Sequence, residues 1–143
     1  MSQPGSPPSG HPPGLPLLFV DRSLGRIAVP SLLRRAGLQL VTLAEHYGVP
    51  ADERVDDVTW LADSARQGWV VLMKDKNIRR RPAEKAAVQQ HAARCFCITR
   101  GDLTAEEMGK RIITNIGAMA TACTDPGPFI YALHATRLER LKL

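Results

Sequence analysis

The feature that most constrains the fold of this chain is a short apolar run at residues 69–73, which ends two residues before Asp75. Five apolar residues rich in β-formers, preceded by Gly68 and followed by polar residues, predict a buried strand. The same pattern occurs earlier, where residues 17–20 lead directly into Asp21. Open α/β sheets bind ligands at the carboxyl ends of their strands. We therefore expect Asp21 and Asp75 to meet at one edge of a sheet.

Predicted strands and helices alternate along the rest of the chain. The strands are predicted at residues 15–20, 38–44, 69–73, 94–99 and 129–134. The helices are predicted at residues 24–36, 57–67, 82–91 and 105–123, although Pro30 could mark the true start of the first. Strict alternation is typical of a mostly parallel sheet with helices on both faces. The sequence thus predicts an α/β fold with about five strands.

The 143 residues are enough for one domain with a full core. Residues 1–14 are nearly all Pro, Gly and Ser, which predicts a disordered tail followed by a single domain at residues 15–143. No apolar run has the length of a membrane span, so we expect no membrane association.

Cysteine usage points to a reducing compartment. The three cysteines are an odd count without a disulfide framework, and Cys95 and Cys97 lie inside an apolar run. A lone C-x-C lacks the second ligand pair that zinc needs. With no apolar signal core at the N-terminus, we expect a cytoplasmic protein with buried thiols.

Four acids fall where this topology places side chains near one edge of the sheet: Asp21, Glu45, Asp57 and Asp75. Asp57 could instead be only a helix N-cap, and Glu45 could be a solvated loop acid. Hard divalent cations take carboxylate oxygens and keep several waters, so converging acids predict Mg²⁺ or Mn²⁺ binding. Such an ion can activate a water and stabilise charge on a phosphate.

A basic run adjoins Asp75. It contains Lys74, Lys76, Arg79, Arg80 and Arg81, in a chain of net charge +5. Charge runs are commonly solvated, but Arg and Lys also supply most of the affinity for a nucleic-acid backbone. Beside an acidic metal site, this run predicts binding of a phosphate backbone.

Four segments together resemble the PIN-like domain family. They are residues 19–25 (Phe-Val-Asp-Arg-Ser-Leu-Gly), 55–61, 68–79 and 127–130 (Gly-Pro-Phe-Ile). The resemblance covers residues 17–135 and is closest to the compact VapC-like branch, the toxins of bacterial toxin–antitoxin pairs. It implies a three-layer α/β/α fold and metal-dependent ribonuclease activity. RNA and a cognate antitoxin are the implied partners, and a homodimer is left open.

By position in the family motifs, Asp21, Asp57 and Asp75 match metal-binding acids, and Glu45 is the match for the remaining acid. The chain departs from the family at Met73, where a Thr or Ser two residues before the last acid would supply a hydroxyl.

Three hypotheses follow. The first is a magnesium-dependent endoribonuclease toxin in which Glu45 assists the three aspartates and the basic run binds RNA. The second is a PIN-like module that binds RNA or protein without cleavage, which Met73 favours. The third is a phosphoacceptor receiver domain, although such domains ordinarily have two adjacent acids after the first strand and Arg22 follows Asp21 here.

Overall fold

A single sheet forms the centre of the computed structural model, which describes residues 10–143. Its strands are β1 (Leu18–Val20), β2 (Leu40–Thr42), β3 (Val70–Lys74), β4 (Arg94–Ile98), β5 (Phe129–Leu133) and β6 (Leu138–Arg140). In the order β2-β1-β3-β4-β5-β6, the first five are parallel and β6 is antiparallel to β5. The mostly parallel α/β sheet is therefore confirmed, with a sixth strand that the sequence pattern did not predict.

The helices lie on both faces of this sheet. They are α1 (Ala28–Arg35), α2 (Leu43–Tyr47), α3 (Asp57–Gln67), α4 (Pro82–His91), α5 (Ala105–Thr114) and α6 (Ile116–Ala122). Short 3₁₀ turns occur at Arg22–Leu24, Ala51–Arg54 and Ile78–Arg80. None of the helices within residues 10–143 has the length and apolar character that crossing a bilayer requires.

Two hydrophobic cores lie on opposite faces of the sheet, because successive side chains of a strand point to opposite sides. In β1, Leu18 and Val20 join one core and Phe19 joins the other. The first core is covered by α1, α5 and α6, and the second by α2, α3 and α4. The predicted three-layer α/β/α arrangement is thus confirmed. Cys95 and Cys97 are buried β4 residues of the second core.

The strand predicted at residues 38–44 is two residues too long at each end, since the structure has it at Leu40–Thr42. It ends at Thr42, whose hydroxyl accepts a hydrogen bond from the Glu45 N–H at 3.0 Å. The Glu45 carboxylate in turn accepts from the Thr42 N–H at 2.9 Å. This capping box begins α2, so Glu45 belongs to a helix and not to a loop after a strand.

The N-cap of one predicted helix and the extents of two others also differ. The N-cap of α3 is Asp56, whose carboxylate accepts from the Thr59 N–H at 2.8 Å, and Asp57 is the first helical residue. The helix predicted at residues 105–123 is interrupted at Asn115, whose side-chain amide donates to the carbonyls of Arg111 (2.8 Å) and His134 (2.9 Å). The first helix begins at Ala28, nearer to Pro30 than to residue 24.

Most of the predicted tail, residues 1–9, lies outside the described residues. The residues that follow lie against the domain. The His11 ring accepts a hydrogen bond from the Gln39 N–H at 3.0 Å and contacts the Leu15 carbonyl at 2.8 Å. The last residues of the predicted tail thus run alongside the start of β2.

Candidate active site

Asp21 and Asp75 follow neighbouring strands and lie at the same edge of the sheet, as their positions predict. The Asp21 N–H donates to the Leu72 carbonyl of β3 at 3.0 Å, and the Asp75 N–H donates to the Ile98 carbonyl of β4 at 3.0 Å. Each backbone bond extends the sheet ladder by one step beyond the strand. The backbone hydrogen bonds of the sheet therefore fix the positions of Asp21 and Asp75.

Ser23 ties the ends of β1 and β3 together. Its hydroxyl donates to Asp21 Oδ2 at 2.6 Å and accepts from the Lys74 N–H at 2.9 Å. The sequence analysis did not single out Ser23. The hydroxyl that Met73 cannot provide is thus supplied to the first acid from another position, while Met73 itself packs in the second core.

Asp57 joins the same cleft from the first turn of α3. Its Oδ1 accepts a hydrogen bond from Trp60 Nε1 at 3.0 Å, which orients the carboxylate. It lies close enough to Glu84, in the first turn of α4, to raise the pKa of that group. Because α3 and α4 pack side by side, Glu84 joins the acids although it is distant from them in sequence.

Four acids, Asp21, Asp57, Asp75 and Glu84, line one cleft of about 270 Å³. Its complete lining is Asp21, Arg22, Ser23, Asp57, Trp60, Met73, Lys74, Asp75, Arg81 and Glu84. A second, more basic depression of about 630 Å³ shares three of these residues. It is lined by Lys74, Asp75, Lys76, Asn77, Arg81, Gly101 and Asp102. An acidic cleft and a basic depression thus share a border.

Glu84 is the acid that sequence reasoning missed. Nothing in the local pattern distinguishes it from a solvated acid in the first turn of a helix, where negative charge is ordinary. The available signal was Pro82, which fixes the start of α4 two residues earlier, only a few residues after Asp75.

Glu45 does not line the cleft, so its predicted position is corrected. Its Oε1 accepts from the Thr42 N–H and from Arg34 Nη2 at 2.7 Å. The hydrogen bond from Arg34 holds the pKa of Glu45 below its usual range. One of its carboxylate oxygens thus both caps α2 and pairs with Arg34 of α1.

The basic run is divided between different surroundings. Lys74 and Arg81 line both depressions, and Lys76 lines only the basic one. Arg79 forms an ion pair with Glu139 at 3.0 Å, and Arg80 lines neither depression. Three of the five predicted phosphate-binding residues therefore lie together.

The acids perturb one another. Burial raises the pKa of Asp21, hydrogen bonds from Ser23 oppose that rise, and the charge of Asp57 adds to it. Burial raises the pKa of Glu84 to about 7, and the neighbouring charges of Asp57 and Asp75 contribute. Perturbed carboxyls grouped in a cleft are typical of a functional site.

The donor set suits a hard divalent cation. All four groups are carboxyls, and Asp21 Oδ1 is buried with no hydrogen-bond partner among residues 10–143. The acids are not, however, preformed as a coordination shell: in this part of the chain no three His, Cys, Asp or Glu side chains are grouped closely enough to hold a metal ion. Asp75 also has other partners, because Arg81 and the Asn77 N–H engage both of its oxygens.

Comparison with known proteins agrees with this architecture. A family model described as "PIN like domain" matches residues 16–100. A Mycobacterium tuberculosis H37Rv protein named "Putative ribonuclease VapC45" is 45% identical over 124 residues, which cover 87% of this chain and 90% of that protein. No solved structure matches the chain significantly.

Proposed function

The chain belongs to the PIN-like domain family, and on that premise we propose that it is a divalent-cation-dependent endoribonuclease. One observation carries the proposal. Carboxyls from four separate segments line one cleft, and one of their oxygens is buried there without a hydrogen-bond partner in the described residues. The M. tuberculosis relative is itself named as a ribonuclease.

The residues have distinct roles in this proposal. Asp21, Asp57 and Asp75 hold Mg²⁺ or Mn²⁺, and Glu84 is the fourth acid in place of Glu45. A divalent cation at this position would activate water and stabilise charge on a phosphate. Ser23 and Trp60 orient two of the carboxylates through the hydrogen bonds described above.

The substrate lies across the border between the acidic cleft and the basic depression. Lys74 and Lys76 contact phosphates beside the acids, because ammonium groups bind backbone phosphates without regard to sequence. This arrangement brings a phosphodiester next to Asp75. The positive charges of Lys74 and Lys76 also offset the repulsion between the RNA phosphates and the carboxylates of the cleft.

The decisive assay incubates a mixed RNA pool with the protein in Mg²⁺, in Mn²⁺ and in EDTA. We expect cleavage only with a cation, and a loss of at least about tenfold in Asp21→Asn, since groups around a bound metal typically contribute that much. Glu106→Gln, which removes an exposed α5 acid, is the matched control. Cleavage that persists in EDTA, or that continues at the wild-type rate in Asp21→Asn, would contradict the proposal.

A non-catalytic module is the second candidate, and Met73 is the observation that favours it. The contacts of Ser23 weaken that argument, since a hydroxyl reaches Asp21 by another route. The same assay separates the two: salt-sensitive RNA binding without cleavage in either cation supports the module. Family membership gives no support to the receiver-domain alternative.

We also propose that the protein is the toxin of a toxin–antitoxin pair, inhibited by a cognate antitoxin. Inducing the wild-type chain in a bacterial host should arrest growth, whereas Asp21→Asn should not. Where a small reading frame adjoins the gene, its co-expression should restore growth. Equal growth arrest by Asp21→Asn would show that toxicity does not come from this cleft.

A further inference from the structure

Arg81 contacts two acids of the acidic cleft. Its Nε donates to Asp75 Oδ2 at 2.7 Å and its Nη2 donates to Asp75 Oδ1 at 3.3 Å. The same Nε lies 3.8 Å from Glu84 Oε1. This two-point contact is the geometry in which arginine binds carboxylates most strongly. In the protein alone, the positive charge beside these two acids is thus supplied by the chain itself.

This pairing conflicts with the proposed role of Asp75. An oxygen that accepts a charge-assisted hydrogen bond from a guanidinium must be released before it can coordinate a cation well. Asp75 has both oxygens engaged, one by Arg81 alone and the other by Arg81 and the Asn77 N–H. Cation binding to Asp75 therefore competes with Arg81.

The Arg81 side chain has room for a second position. Its side chain is 44% exposed and lines the basic depression as well as the acidic cleft. Its backbone is fixed, because its N–H donates to the Ile78 carbonyl and its carbonyl accepts from the Lys85 N–H. Because the side chain borders both depressions, the guanidinium can leave Asp75 for a phosphate in the basic depression without any movement of the backbone.

We propose that Arg81 couples RNA binding to cation binding by exchanging Asp75 for a phosphate. A backbone phosphate in the basic depression takes the guanidinium, and the released carboxylate of Asp75 becomes free for the cation. This inference rests on the proposed function and deepens it. By linkage, RNA then strengthens cation binding by the same factor by which the cation strengthens RNA binding. Arg81 is a positioning residue in this scheme, because it acts through Asp75.

The test measures cation affinity and not turnover. Free Mn²⁺ is counted by electron paramagnetic resonance during titration of the full chain, with and without a short phosphorothioate 2′-O-methyl oligonucleotide that a gel confirms to stay intact. The proteins are wild type, Arg81→Gln and Arg81→Lys. Arg81→Lys keeps the charge but cannot form the two-point contact, so it separates competition from simple charge repulsion.

Without oligonucleotide, we expect both variants to bind Mn²⁺ more tightly than wild type, by about tenfold for Arg81→Gln, within the usual range of coupling factors. The oligonucleotide should tighten Mn²⁺ binding in wild type and do so much less in Arg81→Gln. Melting curves verify that each variant is folded, and the conservative Arg81→Lys keeps the test available if Arg81→Gln is not.

Three outcomes would overturn the inference. If Mn²⁺ affinity without oligonucleotide is unchanged in both variants, Arg81 does not compete for Asp75. If only Arg81→Gln binds Mn²⁺ more tightly than wild type, the positive charge of Arg81 repels the cation and its two-point contact with Asp75 has no part in the effect. Either result leaves the proposed nuclease intact when cleavage still requires a cation. If neither wild type nor the variants bind Mn²⁺, the proposed function is lost as well.

Discussion

Among the residues of the cleft, Glu84 should give the protein a distinctive pH dependence. Burial and the charges of Asp57 and Asp75 raise its pKa to about 7 from an ordinary value of 4.5, and Arg81 only partly offsets them. The folded state therefore binds this proton more tightly than the unfolded state does. Its stabilising effect is complete below the unfolded pKa and disappears as the pH rises through the folded value.

We therefore expect the metal-free wild-type protein in EDTA to lose stability relative to Glu84→Gln as the pH rises from about 5 to about 8. Glu84→Gln keeps the shape of the side chain but has no charge to place beside two carboxylates. Thermal melting of both proteins across this range measures the difference. Parallel curves would mean that Glu84 titrates normally.

Glu84 and Glu45 offer a direct test of which glutamate belongs to the site. Glu84→Gln should lower the initial cleavage rate at saturating Mg²⁺ by at least about tenfold, a typical loss for a group near a metal. Glu45→Gln should leave the rate within about twofold, because a glutamine can still serve the capping box of α2. The opposite ranking would restore Glu45 to the site.

The difference between these two glutamates also shows what the sequence could reveal. Asp21 and Asp75 were predictable because an acid directly beyond a buried strand has its position fixed by the sheet. Glu84 was not, since its place in the cleft depends on how α4 packs against α3. Glu45 was misplaced because a local capping box shortened the preceding strand.

At the scale of elements, two arginines connect the loop after β1 to the segment before α3. Arg22 donates through Nη1 to the Glu53 carbonyl at 3.1 Å and also donates to the Val55 carbonyl. Arg26 pairs with Asp52 at 2.6 Å, and the Asp52 side chain is only 2% exposed. Asp21 and Asp57 lie at the two ends of this connection, so it helps to set their separation.

Arg26→Gln should destabilise the fold, because it leaves the buried Asp52 carboxylate without its charge partner. Arg26 itself is 44% exposed, so solvent screening limits the loss to about 1–3 kcal/mol. Asp52→Asn in the same chain should recover part of this loss. Chemical denaturation of the two single variants and the double variant measures the coupling.

The control for this cycle is Arg66→Gln, which removes an exposed ion pair with Asp63 on one face of α3. Surface pairs of this kind contribute at most about 1 kcal/mol. Arg26→Gln should therefore be clearly the more damaging of the two. An equal effect would indicate that Asp52 is stabilised by other means.

Element boundaries were predictable only where local chemistry sets them. Pro82 fixed the start of α4, and the capping box of Thr104 and Glu107 fixed the start of α5, both at the residues predicted. The break at Asn115 could not be predicted, because it depends on a hydrogen bond to the His134 carbonyl, which only the fold brings near.

For the whole molecule, the strict alternation of apolar runs and amphipathic stretches determined the α/β class, because each sheet face needs a cover of helices. The sixth strand did not follow from that pattern. β6 is short, and its residues are half-buried or exposed, so it lacks the apolar signal of the central strands. It forms by pairing with β5, a contact that depends on the finished sheet.

The net charge of +5 predicts an anionic partner, but the placement of the charges decides how many contribute to RNA binding. Each phosphate neutralised on a single strand changes the slope of log affinity against log salt by about 0.7. Lys76→Gln, measured in EDTA by fluorescence anisotropy, should therefore make the slope shallower by about that amount. Arg79→Gln is the matched control, since Arg79 is paired with Glu139 and should leave the slope nearly unchanged. Equal changes in the two variants would indicate diffuse attraction by the whole surface, whereas the expected difference would locate the RNA backbone in the basic depression.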